Sequence, residues 1–163
     1  MNSEKKIAEN SSAKGEVKIP ISTVDLVVRK GPRILLEQRA RPPFENLYCL
    51  PGGHVEYGET VEAAALRELK EETSIEAELI AILGVYSDPK RDPRGQRIST
   101  VFVANWLSGD PKEGDDARSA DWYEISDVTK LSSRLAFDHS KVVRDYLNWN
   151  ESQPQTFWSS KKV

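Results

Sequence analysis

The sequence has little of what several protein classes require. Cys49 is the one cysteine among 163 residues, so no internal disulfide can form, and we expect a small buried side chain in a reducing cytoplasm. No apolar run is long enough to span a membrane, and the N-terminus lacks the apolar core of a signal peptide. The 23 basic residues do not outnumber the 26 acidic ones, which leaves no broad basic field for nucleic acid. These absences predict a cytoplasmic protein without a membrane or nucleic-acid partner.

One folded domain is predicted over residues 17–149, since a chain of this length suits a single core. Residues 1–16 are polar and charged and predict a mobile tail. Residues 150–163 form a second polar tail, which carries Phe157 and Trp158. Because large aromatic side chains are seldom left in water on a tail, we expect these two to dock on the domain or on a second subunit.

The predicted domain belongs to the α/β class. Aliphatic and β-branched residues flank a turn over residues 30–32 and predict a hairpin. Two long strands are predicted over 77–88 and 97–109, a short strand over 120–126 and an amphipathic helix over 137–149. Since hairpins and helices are interspersed, we expect a mixed β-sheet covered by helices on both sides.

An acidic segment, residues 53–75, gives the strongest indication of chemistry. Thr60 is the expected N-cap of a helix over residues 61–73, which contain neither Gly nor Pro. Successive helical residues are rotated by about 100°, which puts three carboxylates on one side. These are Glu68, Glu71 and Glu72. They stand beside small apolar residues that face the protein, so the carboxylates are predicted to be half-buried.

The crowded carboxylates predict a divalent cation. Like charges a few ångström apart repel one another, and Arg67 offsets only part of the negative charge. Oxygen ligands favour Mg²⁺ or Mn²⁺ over Zn²⁺. The alternative interpretation is an ordinary charged surface helix. It is disfavoured by Gly52, Gly53 and Gly58, which let backbone groups approach a metal or a phosphate.

The segment resembles the Nudix box, the signature of the Nudix (MutT-like) pyrophosphohydrolases. The box requires a Gly, a Glu, an Arg-Glu pair and a Glu-Glu pair at fixed spacing. The chain supplies these residues and the accompanying apolar positions as Gly53, Glu59, Arg67, Glu68, Leu69, Glu71, Glu72 and Ile75. Ser74 stands where the family has a Gly. We therefore expect either slight backbone strain at Ser74 or a different closure of the turn.

The resemblance implies an α/β/α sandwich and a metal-dependent reaction. Glu68 and Glu72 are expected to ligate Mg²⁺, with Mn²⁺ as an alternative, while Glu71 shares a metal or its water. The carbonyl of Gly53 is expected to add a ligand. The implied reaction is attack of an activated water on a diphosphate that is joined to a further group.

Other box residues receive supporting roles from the same resemblance. Arg67 would hold the glutamates, Glu59 would fix Arg67 or the loop, and Gly52 would serve the turn. The general base is left between two alternatives, Glu68 and an acidic residue on a distant loop. Asp116 is the candidate on that loop, and its other interpretation is a solvated turn residue.

A basic loop over residues 87–95 is the second informative segment. Its Asp-Pro steps and its Gly are turn chemistry, so one interpretation is a rigid connection with solvated charges. The other is substrate binding, because Lys90, Arg91 and Arg94 cluster there and could hold phosphates. Tyr86, just before the loop, could stack on a base.

Three features outside the box resemble the ADP-ribose pyrophosphatase branch of the family. They are Pro89, the lead-in over residues 39–44, and the Leu-Ala-Phe-Asp-His element over residues 135–139. Arg39 is accordingly counted among the substrate-binding residues with Tyr86, Arg91 and Arg94. Asp138 is expected to cap the last helix, and His139 is expected to pack or to cap rather than to catalyse.

The resemblance implies hydrolysis of ADP-ribose to AMP and ribose 5-phosphate. One alternative is a MutT-type enzyme that cleaves an ordinary or oxidised nucleoside triphosphate, since both would share every box residue. Another is a sensor that binds the nucleotide without cleaving it. A homodimer is also expected, because family members that hydrolyse ADP-ribose are often dimers.

Overall fold

A computed structural model describes residues 18–112, 117–149, 151–152 and 156–158. Eight strands and three helices lie in these ranges. The strands are β1 (Ile21–Lys30), β2 (Arg33–Arg39), β3 (Tyr48–Cys49), β4 (Gly52–His54), β5 (Glu76–Tyr86), β6 (Arg97–Ser108), β7 (Ala117–Glu124) and β8 (Phe157–Trp158). The helices are α1 (Val61–Thr73), α2 (Ile125–Lys130) and α3 (His139–Asn148), and a short 3-10 turn spans Ser132–Arg134.

The strands form one mixed sheet, as the sequence predicted. Its order is β3-β2-β1-β6-β5-β8, with β4 also paired to β1 and β7 to β2. β1 and β6 run parallel, whereas β1–β2 and β5–β6 are antiparallel hairpins. The central strand β1 therefore touches the turn before α1, the loop after β5 and strand β2, and these are the elements that carry the candidate site.

Two apolar cores cover the two faces of the sheet, because side chains alternate along each strand. Val24, Leu26 and Val28 of β1 pack on the α1 side. Val27 of β1 faces the opposite side, where Val142 of α3 belongs to the same core. Helices therefore lie on both faces, and the predicted α/β/α arrangement is confirmed.

Helix α1 begins and ends as its sequence indicates. The Thr60 hydroxyl accepts the N–H of Ala63 at 3.1 Å, which satisfies one of the free amides of the first turn. Ser74 closes the helix in the left-handed region, with φ 61° and ψ 12°. The first of the two expectations for Ser74 holds, namely backbone strain in place of the family Gly. In the described ranges, no helix combines the length and the apolar character needed to cross a membrane.

The described part of the C-terminal segment docks on its own domain. β8 extends the sheet beside β5, with Phe157 opposite Gly84 in a parallel register. A Cβ on Gly84 would lie 2.3 Å from the Phe157 carbonyl oxygen, so only Gly permits this contact. Phe157 also packs against the core on the α3 side. The expectation that Phe157 docks on its own domain is therefore confirmed.

Candidate functional site

A cavity of about 270 Å³ opens where β1, β2, α1 and the loop after β5 meet. The charged residues that line it include both acidic and basic side chains. The acidic members include Asp25, Glu37, Glu68 and Glu72. The arginines include Arg39, Arg91, Arg94 and Arg97. The structure thus brings the predicted box glutamates and the predicted basic loop to one place.

The acidic side of the cavity holds carboxylates at close range. Burial raises the pKa of Glu72 to about 9, and the negative charges of Glu37, Glu68 and Asp25 add to the effect. Burial likewise raises the pKa of Glu37 to about 7; the charge of Glu68 acts in the same direction and Arg39 opposes it. At Glu37 and Glu72, burial and the neighbouring carboxylates therefore outweigh the positive charge nearby.

The turn at Gly52 and Gly53 fits closely against these carboxylates. The N–H of Gly52 donates to Glu72 Oε2 at 3.1 Å. A Cβ on Gly53 would lie 2.3 Å from the carboxyl carbon of Glu68, and a Cβ on Gly52 would lie 2.1 Å from the Val24 carbonyl oxygen. Real Cβ atoms do not approach other atoms so closely, so both positions require Gly.

Arg67 is the centre of an ion-pair network rather than a solvated residue. Its Nη2 lies 2.7 Å from Glu59 Oε1, and its Nη1 lies 3.1 Å from Glu68 Oε1. It also contacts Glu71 Oε2 at 3.2 Å. The hydrogen bond from Arg67 lowers the pKa of Glu59, which in turn accepts the Glu56 N–H. The structure therefore places Glu59 and Arg67 in contact, next to the glutamates.

Glu71 lies outside this cavity lining. Its side chain is 60% exposed and contacts Arg67. Of the three glutamates predicted to share one side of α1, Glu68 and Glu72 line the cavity and Glu71 stands at its margin. The prediction that all three carboxylates are half-buried is therefore wrong for Glu71, because on the helix it points away from the buried residues Ala65 and Leu69.

The acidic side of the cavity suits a hard divalent cation. Its donors are carboxylate oxygens, and Glu37 Oε1 is buried without a hydrogen-bond partner in the described part of the chain. Because Gly53 has no Cβ, its backbone can lie close to the Glu68 carboxylate. As placed, no three His, Cys, Asp or Glu side chains among the described residues are grouped tightly enough to hold an ion together. A cation bound here would therefore need further ligands, such as water, a backbone carbonyl or substrate, or a rotation of these side chains.

The basic side contains an aromatic ring between two guanidinium groups. The guanidinium carbon of Arg39 lies 5.0 Å from the centre of the Phe137 ring, and that of Arg94 lies 5.4 Å from it. Asp92 holds Arg94 through an ion pair of 2.7 Å and Arg97 through one of 3.2 Å. Arg94 is 42% exposed at its side chain, so it can still meet a ligand.

Arg91 is buried beneath this surface. Its side chain is 5% exposed and pairs with Asp138 at 2.7 Å and Asp25 at 3.4 Å. Asp138 was expected to cap α3, and this expectation is wrong, because its side chain makes no capping bond and binds Arg91 instead. Arg91 was expected to contact substrate; in this structure its hydrogen bonds go to those two carboxylates.

His139 packs inside the domain, as expected. It is 2% exposed, and its Nδ1 accepts the N–H of Leu50 at 3.0 Å. Its Nε2 lies 3.5 Å from Asp25 Oδ1. Burial by itself would raise the pKa of Asp25, but His139, Arg91 and Ser99 outweigh burial and lower it to about 2. Asp25 is therefore an ionised carboxylate that Arg91, Ser99 and His139 hold in place.

Tyr86 requires a correction. The sequence suggested that its ring could stack on a base, but Tyr86 is completely buried. Its hydroxyl donates to Asp145 Oδ2 at 2.9 Å, and burial together with Asp145 raises the pKa of the phenol. The ring lies in the core on the α3 side and does not line the cavity. Asp116, the candidate base, lies outside the described residues.

The sequence did not indicate several residues of the site, three of which matter most for its chemistry. Asp25, Glu37 and Phe137 all line the cavity. For the first two a signal existed, since each acidic residue directly follows or interrupts a run of apolar strand residues, where a buried charge needs a partner. Phe137 has a φ of 55°, which is unusual for a bulky residue, and no sequence pattern predicts this conformation.

Comparison with known proteins agrees with this geometry. The sequence pattern of the NUDIX domain matches residues 20–146. The chain belongs to the Nudix family. An "ADP-ribose pyrophosphatase" of Methanocaldococcus jannaschii is 46% identical to this Nudix hydrolase over 80% of its length, which corresponds to 75% of the archaeal protein.

Two solved structures resemble the Nudix hydrolase over most of its length. One is a bifunctional NMN adenylyltransferase/ADP ribose pyrophosphatase from Francisella tularensis, complexed with AMP and a Mn ion, with 30% identity and a TM-score of 0.75. The match covers 82% of this chain but only 43% of the Francisella chain. The other is the NUDIX domain of Shewanella oneidensis NrtR complexed with ADP ribose, with 26% identity, a TM-score of 0.72 and coverage of 91% and 97%.

Proposed function

We propose that this Nudix hydrolase cleaves ADP-ribose into AMP and ribose 5-phosphate with the help of Mg²⁺ or Mn²⁺. The observation that carries the proposal is the two-sided cavity, in which carboxylates of α1 face arginines of β2 and of the loop after β5. A diphosphate between two sugars needs positive charge along its whole length. A cation on the acidic side and arginines on the other side would together supply it.

The similar proteins support the same substrate. The archaeal relative is named for ADP-ribose cleavage, the Francisella structure contains AMP, and the NrtR domain contains ADP ribose. AMP is one of the two products that the proposed reaction would release. The proposal concerns the domain itself, since this chain spans less than half of the bifunctional Francisella chain.

In the proposed site, Glu68, Glu71 and Glu72 hold the cation together with the carbonyl of Gly53. When bound, the cation supplies Lewis acidity at the phosphate oxygens and offsets the negative charge of the diphosphate. Arg67 would hold the glutamates in place through its ion pairs with Glu68 and Glu71. The three glutamates and Arg67 lie on one helix, so the geometry of α1 sets their relative positions.

The remaining chemistry falls to the substrate loop and to a base. Arg94 and Arg39 would bind the phosphate or ribose of the substrate beside Phe137. A water oxygen attacks one phosphorus, the bridging P–O bond breaks, and the proton of the water passes to a carboxylate. Glu68 and Asp116 are the two candidates for that base. The kcat of the wild type should fall at low pH, where the base becomes protonated. If this fall disappears in Glu68→Gln but remains in Asp116→Asn, the base is Glu68.

The proposal is tested by a hydrolysis screen with Mg²⁺ or Mn²⁺. The substrates are ADP-ribose, other nucleoside diphosphate sugars, dinucleoside polyphosphates, and ordinary and oxidised nucleoside triphosphates, with products separated by chromatography. ADP-ribose should be preferred and should give AMP and ribose 5-phosphate. Glu72→Gln should abolish the activity, whereas the exposed Glu78→Gln should keep it.

Two other outcomes would replace the proposed substrate. Preference for a triphosphate would assign the protein to the MutT type and leave the role of the box residues intact. A sensor function is favoured by one specific observation, the ADP ribose bound to the similar NrtR domain. Tight ADP-ribose binding by calorimetry, without hydrolysis of any substrate, would support that function and overturn the enzymatic one.

A further inference from the structure

Glu37 is a buried carboxylate of the cavity that the Nudix box does not include. It lies in β2, is 4% exposed and lines the same cavity as Glu68 and Glu72. Its Oε1 has no hydrogen-bond partner within the described ranges. A buried carboxylate oxygen without a partner costs free energy, so this position requires an explanation.

Strand alternation aims Glu37 toward α1. Leu35 belongs to the core under α1, whereas Leu36 belongs to the core on the α3 side. Glu37 therefore shares the face of Leu35, because alternate residues of a strand point the same way. The sheet presents this carboxylate to the space that Glu68 and Glu72 enter from the helix.

The surroundings of Glu37 are negative. Glu37, Glu68 and Glu72 all line the same cavity. Arg39 lies two residues further along β2 and lines the same cavity, but its side-chain N–H groups donate to the carbonyls of Arg41 and Pro43. Arg67 pairs with Glu68 at 3.1 Å, which offsets only part of the negative charge that the three carboxylates bring together.

We propose that Glu37 supplies an oxygen ligand to a divalent cation from the sheet side of the cavity, opposite the glutamates of α1. This inference rests on the proposed function, because it concerns the same cation, and it adds a residue from outside the box. A cation held between strand and helix would use the unpartnered oxygen of Glu37 and would offset the repulsion from Glu68 and Glu72. The competing explanation is a protonated carboxylic acid that only fills space.

Mn²⁺ binding to the metal-free protein at about pH 8 distinguishes the two explanations. Free Mn²⁺ is followed by electron paramagnetic resonance for the wild type, Glu37→Gln and the control Glu78→Gln, which changes an exposed carboxylate of β5. Glu37→Gln keeps the shape of the side chain and should weaken one Mn²⁺ site roughly 10- to 100-fold. Glu78→Gln should leave the affinity unchanged.

Thermal unfolding provides a second readout that does not depend on activity. In EDTA, Glu37→Gln should melt no lower than the wild type, because it removes one charge from a repelling group. Added Mn²⁺ should then raise the melting temperature less for Glu37→Gln than for the wild type. A lower melting temperature in EDTA together with a normal response to Mn²⁺ would overturn the proposal and make Glu37 a packing residue.

The outcomes also separate this inference from the proposed function. Equal Mn²⁺ affinity in the wild type and Glu37→Gln, with ADP-ribose cleavage intact in the wild type, would overturn the role of Glu37 alone. Failure of the wild type to bind Mn²⁺ or Mg²⁺ would overturn both. Weaker Mn²⁺ binding in Glu37→Gln, with no cleavage of ADP-ribose by the wild type, would support the ligand and overturn the substrate.

Discussion

Arg91 and Asp138 form a two-pronged ion pair, with Arg91 Nη2 2.7 Å from Oδ1 and Nε 3.0 Å from Oδ2. Asp138 lies at the N-terminus of α3, and Arg91 lies in the loop after β5. The same guanidinium reaches Asp25 of β1. The pair therefore ties the proposed substrate loop to a helix and to the central strand, so Arg91 holds the loop that carries Arg94.

Substitution Arg91→Met should destabilise the protein by about 3 kcal/mol. It removes the cation from two carboxylates that are largely buried, Asp25 and Asp138, and unpaired buried charges are costly. Met fills much of the space of the aliphatic stem, so the change in packing is small. Urea unfolding followed by circular dichroism measures the free energy of unfolding.

Arg94→Ala is the matched control in the same loop. Its ion pair with Asp92 is partly exposed, so stability should change by less than about 1 kcal/mol. The KM for ADP-ribose should rise about tenfold, as expected for one lost charge-assisted hydrogen bond. If Arg91→Met instead preserved stability and raised only the KM, Arg91 would be a substrate contact.

Tyr86→Phe should lower the free energy of unfolding by about 1 kcal/mol and leave the KM unchanged. The substitution deletes the hydroxyl that donates to Asp145, while Lys141 keeps its own contact with that carboxylate at 2.6 Å. Steady-state kinetics and urea unfolding measure the two quantities. A higher KM at unchanged stability would mean that Tyr86 contacts the substrate.

The predictions that succeeded depend on local sequence. Helix α1 follows from its own residues, because Thr60 supplies the cap and residues 61–73 favour the helix. The turn residues 30–32 predict the hairpin between β1 and β2, and Gly31 adopts a φ of 62° there. The crowding of Glu68 and Glu72 needs only the helical period. A reader of the sequence can therefore place the acidic side of the cavity.

The predictions that failed depend on contacts between distant segments. Asp138 looks like a helix cap in its local sequence, yet Arg91, 47 residues earlier, takes its carboxylate. The residues next to Tyr86 do not indicate whether its ring is buried, and its partner Asp145 is 59 residues away. Glu37 reaches the cavity only because β2 pairs beside β1. Such pairings come from the tertiary fold and cannot be read from a single segment.

Ser74→Gly should stabilise the protein by about 0.5 to 1 kcal/mol. Ser74 occupies the left-handed region, where a Cβ is unfavourable and Gly is not, although Gly also gains freedom in the unfolded chain. Ser74→Ala is the control, and it should give no gain because Ala keeps the Cβ. Chemical unfolding of the three proteins measures the difference. Equal stability of the Gly and Ala variants would show that the Ser74 backbone is not strained.

In the absence of divalent ions, stability should fall as the pH rises from about 5 to 9. Burial raises the pKa of Glu72 to about 9 and that of Glu37 to about 7, from an ordinary value of 4.5. The folded protein keeps these protons after the unfolded chain has lost them, so their contribution is complete below 4.5 and is lost as the pH passes the folded values. Asp25 has the opposite sign: its pKa is lowered from 3.8 to about 2, so its contribution is lost only in stronger acid.

Urea unfolding in EDTA at about pH 5, 7 and 9 measures this decline, which amounts to at most about 1.4 kcal/mol per pH unit for each group. Glu72→Gln should flatten the curve between pH 7 and about 9, because Gln has no proton to lose. The exposed Glu78→Gln should keep the wild-type decline. Mn²⁺ should reduce the decline in the wild type, because a bound cation favours the ionised carboxylates over the protonated ones. A wild-type curve that stays flat in EDTA would mean that Glu72 is already ionised in the folded protein, and the carboxylates would then have to be neutralised by the arginines across the cavity.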